Sequence, residues 1–270
     1  MPKTKEVVAP KPISIVTGLR ARGVKEEKAF DHPGHFQEYV FGHTLPKFVW
    51  EMYEMILEGH KNPSNTSANP ALFLAPRNHT KTTIGEATIL WKIGNNPLEL
   101  CQEICGVSIK AKERLFKVAS CIKDNQRFIG MFGSLYPDDP LEYKWNSEAI
   151  EVRRDRSQVW EEGDAERDPT LAAYGIESMI EGGRATCQIY DDIVTRANSS
   201  SEIQRASVKQ AFWMSFDPML QPSGQQVIFG TRYHYADFYS ELIPLFDTDK
   251  YYTDLYPDVS EGSWEEEDED

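Results

Sequence analysis

Apolar positions along the chain fall into two alternating patterns: short continuous runs, and longer stretches with helical spacing. After Pro46, the residues Phe48, Val49, Met52, Tyr53, Ile56 and Leu57 recur every three or four positions, which predicts an amphipathic helix ending near Gly59. The polar stretch KNPSNTSANP reads as a loop. The run Ala71 to Ala75 then reads as a buried strand, followed by a polar turn and a helix from Lys81 to about Lys92. The alternation continues with a strand over Leu98 to Val107 and a charged helix from Ile109 to about Lys123. Strand-like pieces follow at Phe128–Met131 and Ala149–Arg153.

A charged, turn-rich connection runs from Ser157 to Pro169. Strands at Leu171–Met179 and Ala185–Tyr190 flank the turn Glu181-Gly182-Gly183-Arg184, and Gln188 interrupts the second apolar run. A helix over Glu202–Met214 follows three serines, and Gln226–Gly230 is another buried strand. Alternating strands and helices predict an α/β fold with a mostly parallel central sheet flanked by helices. The ends lack this pattern. Residues 1–35 read as an N-terminal arm, 36–247 as one domain, and 248–270 as an acidic tail or linker.

A length of 270 residues suits one large domain with appended arms. No run approaches the roughly 18 apolar residues needed to cross a bilayer, so a membrane-spanning class is excluded. The start, MPKTKEVVAPKP, lacks an apolar core and a small-residue cleavage site, so a cytoplasmic protein is expected. The formal net charge is −14, and the six acids of Glu265–Asp270 leave −8 on the rest, which excludes a basic DNA-binding module. Any grip on DNA must use a local patch. Cys101, Cys105, Cys121 and Cys187 sit in apolar segments, and the Cys101–Cys105 spacing lacks a second ligand pair for zinc, so they read as core thiols.

Three strand ends carry candidate chemistry. The segment Ala75-Pro76-Arg77-Asn78-His79-Thr80-Lys81-Thr82-Thr83 puts a Lys-Thr pair where a loop becomes a helix, the place where backbone N–H groups and a lysine cradle phosphates and a hydroxyl binds Mg²⁺. It departs from G-x-x-x-x-G-K-[ST], with Ala75 and Thr80 where the glycines stand, and a capped surface helix is the bland alternative. Downstream, ATCQIY ends in Asp191-Asp192. A strand ending in paired acids suits Mg²⁺ held by Asp191 and an attacking water polarised by Asp192. Third, Val227-Ile228-Phe229 stops at Gly230-Thr231-Arg232. Ligands gather outside the carboxyl ends of parallel strands, so this turn can lie beside a nucleotide. Tyr39, Phe41 and Phe48 are candidates to line an adenine pocket, or simple core.

LFLAPRNHTKTT, CQIYDDIVT and VIFGTRYHYADFYSELI, in that order, resemble the ATPase half of the large terminase subunits of tailed bacteriophages over about Phe41 to Leu245. The resemblance implies a P-loop NTPase of the RecA-like (ASCE) class, an ATP- and Mg²⁺-dependent motor that drives double-stranded viral DNA into a procapsid. Under it, Pro76 to Thr83 bind the nucleotide, Lys81, Arg77 and Asp192 are catalytic, and Thr82 and Asp191 hold the metal. Gly230, Thr231 and Arg232 match the coupling motif, and Arg184 is the nearest match to an arginine donated to the neighbouring subunit, with Arg153, Arg154 and Arg156 as competitors.

The family more often has glycine at Thr80 and glutamate at Asp192. The implied partners are DNA, the portal protein, the small terminase subunit and further copies of the chain in a ring. The implied place is the host cytoplasm, transiently at the portal and not in the mature virion. The family's nuclease domain does not fit in this length, so no nuclease activity is expected. A helicase-like translocase and a non-hydrolysing docking module are the alternatives.

Overall fold

The computed structural model describes residues 23–61, 69–139, 142–154, 168–178, 180 and 182–245. The acidic tail, Arg156, Glu181 and most of the 157–169 connection lie outside the described residues.

Helices α1 (Val24–Asp31), α2 (Pro33–Phe41) and α3 (Lys47–Lys61) come first. They lead to strand β1 (Asn69–Leu74), helix α4 (Lys81–Asn95), strand β2 (Cys101–Cys105) and helices α5 (Ser108–Asp124) and α6 (Gln126–Phe132). Strands β3 (Ala149–Ile150), β4 (Leu171–Gly175) and β5 (Ala185–Asp191) follow, then the short helix α7 (Arg196–Ser199) and helix α8 (Glu202–Ala211). Helix α8 runs on as a π turn over Phe212–Phe216 before strand β6 (Leu220–Gly230) and the short helix α9 (Tyr239–Leu242).

The fold is α/β. Six strands form one sheet in the order β1-β6-β5-β2-β4-β3, all parallel except β3, which pairs antiparallel with β4 at the edge. Two layers of core explain why the central strands read as continuous apolar runs. One face carries Phe73, Cys105, Cys187, Ile189, Val227 and Phe229 under α1 to α6; the other carries Ile104, Tyr190 and Ile228 under α8, the π turn and α9. No described helix is long and apolar enough to cross a membrane.

Two segments differ from the sequence reading. Residues 24–31 and 33–35, set aside within an arm, are helical on either side of an extended His32, and Ala29 joins the main core beside Phe36 of α2. The Phe128–Met131 piece is helix and not strand. Asn125 Oδ1 accepts the Arg127 and Phe128 amide protons at its start, and Gly133 ends it at φ +79°.

Gln188 lies in a polar row across the second face. The register aligns Gln102, Gln188 and Gln226 on β2, β5 and β6. Gln188 Nε2 donates to Gln102 Oε1 (2.9 Å) and Phe216 O (2.7 Å), while its Oε1 accepts from Tyr190 OH (2.9 Å) and Gln226 Nε2 (3.1 Å). All four hydrogen-bonding capacities of the amide are used.

Candidate functional site

Parallel pairing sets the carboxyl ends of β1, β6, β5 and β2 side by side: Leu74 is level with Gly230, Phe229 with Asp191, and Asp191 with Cys105. Whatever follows each strand therefore meets at one edge of the sheet, where α/β folds bind ligands.

The β1–α4 loop wraps around its own lysine. Lys81 Nζ donates to Ala75 O, to Pro76 O (3.2 Å) and to Thr231 Oγ1 (2.8 Å), and the residue is only 6% exposed. Burial holds its pKa below the ordinary lysine range, against the opposing pull of Asp192 and Asp191. His79 Nδ1 lies 3.1 Å from both Pro76 O and Arg77 O and braces the turn. The loop bends through left-handed backbone at Asn78 (φ +69°) and Thr80 (φ +55°). Asparagine tolerates that conformation, but a β-branched threonine is strained there. Thr80→Gly relieves about 1–2 kcal/mol of strain and loses ~0.5–1 kcal/mol to glycine's greater freedom. The expected result is a small rise in the urea unfolding midpoint, and a clear fall contradicts the strain at Thr80.

Thr82, on the first turn of α4, donates to Asp191 Oδ2 at 2.8 Å. Asp191 is 4% exposed, and its Oδ1 has no hydrogen-bond partner among the described residues. A hydroxyl beside an ionisable carboxylate with an unsatisfied buried oxygen is a donor set that fits a hard divalent cation. Asp192 follows in left-handed backbone (φ +48°), anchored by its amide to Phe229 O (2.9 Å). Its Oδ1 is 3.3 Å from Thr231 Oγ1. Burial raises the Asp192 pKa, and Lys81 pulls it down.

Thr231 is the hub of the edge. It accepts from Lys81 and can donate its single proton either to Ala75 O (3.2 Å) or to Asp192 Oδ1 (3.3 Å). Gly230 must stay without a side chain, because a Cβ there would meet the Tyr239 ring at 2.3 Å.

Other predicted residues stand further out. Arg77 is exposed and donates to Tyr233 OH at 2.9 Å, tying the loop to the segment after β6. Arg232 turns away from the edge: its Nη2 donates to Tyr235 O (3.0 Å) and Ser240 Oγ (2.8 Å), and its Nε pairs with Asp237. Arg184 stands just before the amino end of β5, roughly 23 Å from Asp191 at ~3.3 Å per strand residue, and faces Asp168 Oδ2 at 4.0 Å. It does not join the group within this chain. Arg153 pairs with Asp138, and Arg154 is buried against Glu151 and Asp168 O. Phe48 lies beside the loop, 5.7 Å from the His79 ring, whereas Tyr39 and Phe41 pack at the margin of the core.

The structure adds residues that the sequence reading missed. Arg114 of α5 donates its Nε–H to Asp191 Oδ2 at 3.2 Å and approaches Glu86 at 4.0 Å. Burial opposes its charge, but Asp191 and Glu86 more than offset that and raise its pKa. Nothing in the sequence separates Arg114 from the other basic residues of its helix. Glu103, by contrast, was a visible signal, a carboxylate inside an apolar run. Tyr233 became visible only through its bond to Arg77. Compared with known proteins, the sequence matches no family model and no curated protein.

Proposed function

We propose that this chain is an ATP-hydrolysing P-loop motor of the RecA-like class, acting in viral DNA packaging as the ATPase part of a large terminase subunit. The observation that carries the nucleotide part is the convergence of Lys81, Thr231 and Asp192, and of Thr82 with Asp191, at the carboxyl edge of adjacent parallel strands. The packaging part rests on the likeness of the three motifs to the terminase family.

Hydrolysis by this site is in-line attack of water on the γ-phosphoryl, where positioning and charge neutralisation supply most of the acceleration. Lys81 exchanges its loop carbonyls for phosphate oxygens, and the amides opening α4 hold the remaining charge. Asp192, fixed by its amide bond to Phe229 O, orients the water and accepts its proton. Thr82 and Asp191 would hold Mg²⁺, which would supply charge neutralisation to the phosphates. Arg77 steadies the phosphates from the rim and carries their presence to Tyr233. Arg184, too distant to serve its own site, acts on the site of a neighbouring copy, so turnover requires a ring. The further partners on this reading are double-stranded DNA, the portal protein and the small terminase subunit.

Equilibrium titration with a fluorescent ATP analogue, with and without Mg²⁺, tests the nucleotide site. Saturable binding that tightens with Mg²⁺ is expected, and no binding up to about 1 mM, the upper range of ordinary substrate affinities, removes the motor reading.

A further inference from the structure

Beneath α4 and α5, next to the edge just described, lies a buried pocket lined by acidic side chains and a thiol. Glu103 and Cys105 are two residues apart on β2 and share one face of the sheet. Cys105 is level with Asp191 on β5, so all three side chains project to the same side. One oxygen from each carboxylate and Cys105 Sγ lie within 4.8 Å of one another, and all three residues are buried. Glu86 of α4 adds a third carboxylate above them. Facing these acids are Arg114 (4.0 Å from Glu86 and 3.2 Å from Asp191) and Lys117 (3.3 Å from Glu86).

The second observation is that two of the carboxylate oxygens are orphaned. Glu103 is 2% exposed and its Oε2 has no hydrogen-bond partner among the described residues; Asp191 is 4% exposed and its Oδ1 has none. Buried carboxylate oxygens without a donor are costly, and Arg114 and Lys117 are engaged with Asp191 Oδ2 and Glu86 instead.

We propose that Glu103, Cys105 and Asp191 form a binding site for a borderline divalent cation of the zinc and cobalt class. Two carboxylates and one thiol are a mixed donor set that favours such ions over Mg²⁺, because the thiolate is too soft a ligand for a hard cation. Cys105 releases its proton to solvent on coordination. The site shares Asp191 with the proposed Mg²⁺ position but needs no nucleotide, so it stands independently of the motor reading. Its consequence is competitive. A cation held here draws Asp191 away from Thr82, and zinc-class ions therefore oppose Mg²⁺-dependent nucleotide binding.

Titration of the full chain with Co²⁺ in the absence of nucleotide tests the site, read by ligand-field bands and by sulfur-to-cobalt charge transfer in the near ultraviolet. One equivalent bound with a single thiolate signature is expected. Cys105→Ser should remove the charge-transfer band, and Glu103→Gln should weaken binding by at least about 10-fold, the scale at which even outer-sphere partners act. Thermal unfolding of each variant without metal checks its fold. Binding that is unaffected by Glu103→Gln and Cys105→Ser, or a thiolate signature that follows Cys101, Cys121 or Cys187, overturns the proposal. Absence of a cobalt signature in the parent chain with ATP binding intact would sink this site alone, whereas cobalt binding by the parent chain without ATP binding would sink only the motor reading.

Discussion

Lys81→Ala is expected to lower ATP turnover by at least about 100-fold, the scale on which loss of one charge-stabilising group at a reacting centre acts. The ammonium touches both the β1–α4 loop, through Ala75 O and Pro76 O, and the β6 turn, through Thr231. Its removal takes away the charge meant for the phosphates, while Thr231 and Arg77 still tie the loop to the segment after β6. Lys81→Met keeps most of the stem's packing and should be as inactive as alanine, which separates lost charge from lost packing. Phosphate release at saturating ATP measures both variants. Turnover within about three-fold of the parent, well short of the loss expected for such a group, would remove Lys81 from the chemistry.

Gln188→Leu is expected to cost about 3 kcal/mol of stability, because leucine has similar volume but leaves Tyr190 OH, Gln102 Oε1, Gln226 Nε2 and Phe216 O each short of a buried partner. Unsatisfied buried groups cost ~1–3 kcal/mol each, and repacking of Gln226 onto Asp217, already 2.9 Å away, limits the sum. At ~2–4 °C per kcal/mol for a domain of this size, the melting temperature should fall by roughly 6–12 °C. An unchanged or higher melting temperature would mean that the row across β2, β5 and β6 contributes nothing net.

That row also shows how far the sequence could be read. Each central strand was legible as an apolar run, but Gln102, Gln188 and Gln226 are separated by 86 and 38 residues, and only the register makes them neighbours. The loop, the paired acids and the Gly-Thr-Arg turn were legible because each is local, and parallel pairing then brought them together. Thr231 as hub was not legible, since its three partners come from the loop after β1, from α4 and from the residue after β5. Helix α6 was misread because a four-residue apolar run has no period of its own. Asn125 and Gly133 were the available signals for its ends. Helix α1 was not legible for a related reason: it has few apolar residues, and Ala29 gives little pattern for a helix that the core nonetheless takes in.

The most direct test of the motor account is ATP hydrolysis by the purified chain as a function of protein concentration, with Mg²⁺, with and without double-stranded DNA. Arg184 lies at the far end of β5 from Asp191, so a site completed by a neighbouring copy predicts specific activity that rises with protein concentration and rises further on DNA. Arg184→Ala should flatten that rise while leaving ATP binding intact. Specific activity independent of concentration, or no turnover under any of these conditions, would contradict the account.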